Sequence, residues 1–307
     1  MKKIISVLSI TVLFGMTACN KPAPPAPEPA PSPSEYTSPE TGTTSSVATP
    51  DSSVAAADEQ VQAKPIQKFV QADAKLATLR MKFVIDGTPP KPEKIDASRD
   101  PFCAALDIKS DDLIVGKEGG IQNVVVYYDE RKNKVDIPEI AQKAEAKIHK
   151  LDNKNCLFAP QVIAAHPGDT IEVFNSDQTG HNANFNFFDN TQVNFIIPIG
   201  ESKKVELKLP ERGTTEVTCN IHGWMKAYLF VTEHSYVGVT DEDGVLEIPN
   251  LPLGTIAFRA WHKVGDFDEV TVDGKKDKWS RNRMEFDLKA GVNDLGVIKV
   301  PAAAFKK

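Results

Sequence analysis

The chain lacks several things a function class would need. It has no excess of positive charge: 36 Lys and Arg stand against 42 Asp and Glu, a formal net charge of −6. That balance argues against nucleic acid as a partner. After the first apolar run, Ile4 to about Phe14, no second run is long enough to span a membrane. There is no P-loop, no Gly-x-Ser-x-Gly elbow, no repeat of fixed period and no pair of carboxylates that stands out as an acid and base. Aromatic residues are 7% of the chain, and cysteines number only four.

The N-terminal end reads as an export signal. In "MKKIISVLSITVLFGMTAC" two lysines precede the apolar run, which is too short for a mature spanning helix. Met16 is poor at the −3 position of simple signal-peptidase cleavage, whereas "MTAC" resembles the lipobox of bacterial lipoproteins, with Met for the usual Leu. The resemblance implies a signal over 1–18 and a lipidated Cys19. It also implies an outer-membrane lipoprotein facing the periplasm or the cell surface, because Asn20 is not the Asp that commonly retains such proteins in the inner membrane. Ordinary secretion with a free Cys19 is the alternative. Residues 19–64 are rich in Pro, Ala, Ser and Thr and offer almost nothing to bury, so they read as a disordered tether. Membrane contact is expected through the N-terminal lipid only.

The remaining body reads mostly as strands. Runs such as "TLRMKFVIDG", "NVVVYYD", "DTIEVFN", "NFNFF", "TTEVTC" and "KAYLFVTE" are short, β-branched or aromatic, and separated by Gly, Pro, Asn and Asp. One helical island interrupts them at about 137–150, where Ile137, Ile140, Ala141, Ala144 and Ile148 share a face behind Pro138. A second series of hairpin-like strands starts near 235. The fold class expected is all-β: a Greek-key β-sandwich over 65–234 with a short helical insertion, followed by a smaller β-sandwich module over 235–307, separable by truncation.

Between two of the strand runs lies "TCNIHGWM". Gly223 disfavours a helix there, so the segment reads as a strand-to-strand loop that can gather Cys219, His222 and Met225 around one point. A thiolate, an imidazole and a weak thioether suit copper; a trigonal Cys and two His with a long axial Met is the type 1 electron-transfer geometry. Structural zinc seldom uses Met. A second His must come from elsewhere. Of the six, His149, His166, His234 and His262 read as structural or solvated, while His181 stands in a turn in "VFNSDQTGHNANF" just after a strong strand.

"GDTIEVFNSDQTGHNANF" followed by "CNIHGWM" resembles the cupredoxins, the blue-copper β-sandwich proteins, with the short two-residue His-to-Met spacing found in amicyanin. The resemblance covers about 160–232 well. It implies one type 1 copper held by His181, Cys219, His222 and Met225, with Asn182 bracing the ligand loop. It further implies that His222 lies near the surface inside an apolar patch of Ile221, Gly223 and Trp224, where a redox protein partner would exchange electrons; Trp224 read as a core residue is the alternative. The layout is also similar to exported cupredoxin-like proteins labelled methylamine-utilisation proteins, which carry a "DP-x-C" segment (here Asp100 to Cys103). "VTDEDGVLEIPNLPLGTIAFRAWH" resembles the carboxypeptidase-regulatory or transthyretin-like module.

With Cys19 and Cys219 so assigned, Cys103 and Cys156 are the natural disulfide pair of an exported protein, two free buried thiols being the alternative. An enzyme is not expected. The copper oxidases and nitrite reductases commonly bind further copper through His-x-His pairs, and no two histidines here lie within two positions. A binuclear copper loop needs two cysteines, and this loop has one. Two non-carrier roles remain alongside electron carriage: copper storage or delivery, and a cell-envelope binding or adhesion protein with a vestigial copper site.

Overall fold

The computed structural model describes residues 76–305, apart from 135, 143 and 144. The expected signal, Cys19 and the tether lie outside the described residues. Among the described residues no helix is long and apolar enough to cross a membrane. The chain is all-β. Its strands are β1 (Ala77–Asp86), β2 (Val125–Tyr128), β3 (Ile148–Lys154), β4 (Leu157–Ala159), β5 (Val162–Ala165) and β6 (Thr170–Asn175). There follow β7 (His181–Phe185), β8 (Val193–Ile197), β9 (Ser202–Glu206), β10 (Thr215–Thr218), β11 (Lys226–Val231) and β12 (Val237–Val239). The last six are β13 (Val245–Leu251), β14 (Gly254–Trp261), β15 (Glu269–Val272), β16 (Lys275–Lys278), β17 (Arg283–Leu288) and β18 (Gly291–Pro301).

Two β-sandwiches result. The central one packs the sheet β5-β11-β10-β7-β8 against β4-β3-β6-β9. Along β6 the burial alternates strictly, so Ile171 and Val173 point inward to meet Leu151, Phe185, Val217 and Leu229. The terminal sandwich packs β13-β1-β18-β15-β16 against β12-β2-β14-β17. Its core includes Leu79, Met81 and Phe83 from β1, Val126 from β2, Ile248 from β13, Phe258 from β14, and Phe267 and Trp279 from the connections around β15 and β16. Each large apolar side chain so buried contributes roughly 1.5–3 kcal/mol relative to exposure.

This pairing corrects the boundary expected at 234/235. β1 runs parallel to β18, from Ala77 opposite Gly291 to Asp86 opposite Pro301, and β2 lies between β12 and β14. The terminal sandwich therefore takes strands from both ends of the body, and the central sandwich is inserted between them. A small shared cluster joins the two: Val125, Val162 and Phe230, with Tyr228 and Trp261 packed alongside. The Trp261 ring lies 5.0 Å from Tyr228 and 5.1 Å from Phe230.

The helical island is also shorter than its spacing predicts. Among its described residues only one turn, α2 (Glu139–Gln142), is helical. Ala141 enters the terminal core while Ile140 stays exposed. From Ile148 the chain is strand β3, paired in parallel with β6 from Ile148 opposite Thr170 to Asn153 opposite Asn175. Ladder hydrogen bonds and the inward alternation of Leu151 and Asn153 outweigh the local helical period. His149, expected on a solvated helix face, sits instead on β3 with Nε2 2.7 Å from Asp169 Oδ2.

Candidate metal centre

The ligand loop is the connection between β10 and β11, which pair antiparallel with Thr218 opposite Lys226. Its ends are tied by Cys219 N–H donating to Met225 O (3.2 Å) and Met225 N–H donating to His222 O (2.9 Å). The His222 amide points at the Cys219 sulfur, 3.4 Å away. Asn182 reaches across from β7: its Oδ1 accepts from the amides of Asn220 (2.6 Å) and Ile221 (3.3 Å), and its Nδ2 donates to Asn194 Oδ1 on β8. One side chain thus fixes the loop's position relative to the neighbouring His181.

His181 opens β7 after a tight turn from β6. Asn175 holds that turn, accepting from the Asp177 amide (3.0 Å) and donating to Thr179 O (2.9 Å) and Ile197 O (3.0 Å). Such Asx turns are what short polar side chains do well.

The two segments converge. His181 Nδ1 and His222 Nδ1 are 2.9 Å apart, and Cys219 Sγ is 3.9 Å from His222 Nδ1. One donor atom from each of the three lies within 4.8 Å of the others, and all three residues are buried. Cys219 is a free thiol. Met225 is fully buried at the foot of the loop, in the same apolar cluster as Cys219.

Both imidazoles spend their other nitrogen on a carboxylate. His181 Nε2 is 2.9 Å from Asp177 Oδ2, and His222 Nε2 is 3.1 Å from Asp100 Oδ2. A carboxylate partner calls for an N–H at Nε2, which leaves both Nδ1 atoms as acceptors facing one another. Two lone pairs buried at that separation repel unless a cation lies between them. The donor set of two imidazole nitrogens, a thiol and a nearby thioether fits a soft or borderline ion such as copper. Burial pushes the His181 imidazole below its ordinary value, against the opposing pull of Asp177. Burial of Asp100 favours its neutral form, yet the Cys103 amide, the Thr179 hydroxyl and His222 outweigh it and hold the carboxyl at about 2.

His222 does not reach the surface; it is 2% exposed. A cap covers it, made by the short helix α1 (Pro101–Ala104), with Asp100 at its N-cap accepting from the amides of Phe102 (2.9 Å) and Cys103 (3.0 Å). Cys103 is joined to Cys156 by the expected disulfide, and its sulfur lies 3.8 Å from His222 Nε2. Trp224 is half-buried against this cap. Its Nε1 donates to Cys156 O (2.9 Å), and its ring centroid is 5.1 Å from that of His222. Of the expected surface patch, Ile221 and Gly223 are exposed.

Sequence reasoning missed Asp100, Asp177 and Thr179. Asp100-Pro101 is a legible helix N-cap signal, but nothing local says that the cap lands on an imidazole 122 residues away.

No family model matches the chain, and no curated protein matches it. Among solved structures it is similar to a copper-containing nitrite reductase from Thermus scotoductus SA-01, at 21% identity over 27% of this chain, with a TM-score of 0.26. The chain spans about a fifth of that enzyme's length, 22%. It is also similar to a methionine-to-glutamine variant of amicyanin with Cu(I), at 15% identity over 28% of this chain and 82% of amicyanin, TM-score 0.26. A methionine-to-alanine amicyanin variant in the Cu(I) form gives 18% identity over 30% and 87% of the two chains, TM-score 0.25. The architecture described above stands on its own strand pairing rather than on these likenesses.

Proposed function

We propose that this is a type 1 copper protein of the cell envelope that carries single electrons between redox proteins. The observation that supports it is the convergence of His181 Nδ1, His222 Nδ1 and Cys219 Sγ at a buried point, beside a loop that also buries Met225. His181, Cys219 and His222 would hold the ion, and the Met225 thioether would be a further, weaker donor. A bound copper supplies one-electron exchange between its cuprous and cupric states. The protein's part is to keep the donors in one arrangement in both states. Asn182 pins the loop, Asn175 pins the turn before His181, and the sandwich core beneath allows neither to relax. Donors supplied wholly by the chain leave no position for a substrate, which is why a carrier is favoured over an enzyme. The lipid anchor on Cys19 and a periplasmic location belong to this reading and rest on the sequence signals alone.

Copper(II) added to the purified apoprotein should give an intense blue thiolate-to-copper absorption, lost in Cys219→Ser. A protein that stays colourless with excess cupric ion refutes the reading. One observation favours a second role, copper storage or delivery: the covered edge of His222 removes the usual surface contact for a partner. Tight Cu(I) binding with slow electron exchange toward small redox partners would decide for it.

A further inference from the structure

Asp100 and Asp177 do the same thing from opposite sides. Asp100 accepts from His222 Nε2 (3.1 Å) and from the amide of Cys103 (3.0 Å). Asp177 accepts from His181 Nε2 (2.9 Å), from the amide of Cys156 (2.7 Å) and from that of Asn155 (2.6 Å). Each carboxylate therefore holds one imidazole and one half of the disulfide. Thr179 closes the ring, donating its hydroxyl from the Asp177 turn to Asp100 Oδ2 (2.7 Å). The side chains of His181, His222 and Asp177 are all but inaccessible, 0%, 3% and 4% exposed, and that of Asp100 is 17% exposed, so water screens the Asp177 contact least.

We infer that Asp100, Asp177 and the Cys103–Cys156 disulfide form one clamp that fixes both imidazoles as Nε2–H donors, biases the site toward the oxidised ion and closes the His222 edge to partners. The inference rests on the copper reading for its redox part only. Carboxylates behind metal-bound imidazoles fix the tautomer and raise ligand basicity. Two negative charges at short range in a buried site stabilise the more highly charged metal state. The disulfide holds them there by fixing the backbone amides that both carboxylates accept from. Asp100 and Asp177 are positioning residues, acting through the histidines.

The first test needs no metal. Nitrogen NMR of the wild-type apoprotein should show a proton on Nε2 of both rings, whether or not the facing Nδ1 atoms share a further one; a ring without its Nε2 proton overturns the clamp. The second uses Asp100→Asn and Asp177→Asn, which keep an acceptor oxygen and, at 100, the helix cap, while removing the charge. Each copper-loaded variant should lose at least tenfold in preference for Cu(II) over Cu(I), an upward shift of about 59 mV in potential. Asp169→Asn is the control, a buried carboxylate bonded to His149 instead; it should shift nothing. Folded, loaded variants with the wild-type potential refute the inference. If the aspartate variants do not fold, Cys103→Ala with Cys156→Ala keeps both charges but frees their anchors, and copper loss to a Cu(I) chelator should quicken at least tenfold. An unchanged loss rate refutes the clamp. A wild-type protein that binds no copper would sink the carrier reading, while the apoprotein NMR would still decide the clamp.

Discussion

Removing the disulfide tests how far the cap depends on a covalent staple. Cys103 and Cys156 are 53 residues apart in sequence, fully buried, and packed with Ala97, Ile108 and part of Trp224. Replacing both with Ala avoids burying new hydroxyls and leaves only a small void. In the chain-entropy account, opening a loop of that length frees about 14 cal/mol/K in the unfolded chain, or about 4 kcal/mol at room temperature. For a body of roughly 230 residues the unfolding entropy is about 0.5 kcal/mol/K, so the melting temperature of the apoprotein should fall by about 8 °C. Denaturant unfolding should show a steeper dependence as well, because the freed unfolded chain exposes more surface. Calorimetry and urea titration of wild type and double variant measure both. A loss below about 1 kcal/mol, with the same urea dependence, would show that loop closure contributes little and that the cap is held by Asp100, Trp224 and packing alone.

Burial holds the His262 imidazole at about 4 against an ordinary 6.5. The unfolded chain binds this proton below pH 6.5 and the folded chain does not until about pH 4, so stability is full above 6.5 and falls as the pH drops through that window. The loss is about 3 kcal/mol by pH 4, and His262→Gln should remove that part of the slope in urea titrations at stepped pH. Deleting 235–307 should not yield a soluble metal-binding fragment, because it strips β1 and β2 of their partners and bares Leu79, Met81 and Phe83; recovery of a soluble, folded 65–234 protein would contradict the shared sandwich. Asn182→Ala removes the acceptor for the amides of Asn220 and Ile221, two exposed residues, at about 0.5–1.5 kcal/mol for each hydrogen bond lost. Their hydrogen exchange in the apoprotein should speed up several-fold, and unchanged rates would show that the loop holds itself.

The sequence by itself determined the all-β class and singled out His181, Cys219 and His222, which folding brings together. Strand alternation is local: each β-branched run carries its own inward and outward faces, as β6 does. The Cys219–Met225 loop is local too, since a hairpin returns its ends to each other whatever else the chain does. Even the pairing of Cys103 with Cys156 followed from accounting for four sulfurs. The partner of each strand was decided only in three dimensions. A two-residue period says which face is buried but not which edge will be paired, so β1 and β2 read as part of the central sandwich although each completes one of the two sheets whose other strands all lie after residue 235. The same holds for the 137–150 segment, where pairing with β6 overrode a helical spacing that the sequence truly has. It holds most of all for Asp100 and Asp177. A carboxylate in a turn looks like any other acidic residue until folding places it against an imidazole, because hydrogen-bond range is set in space and the chain between the two can be of any length.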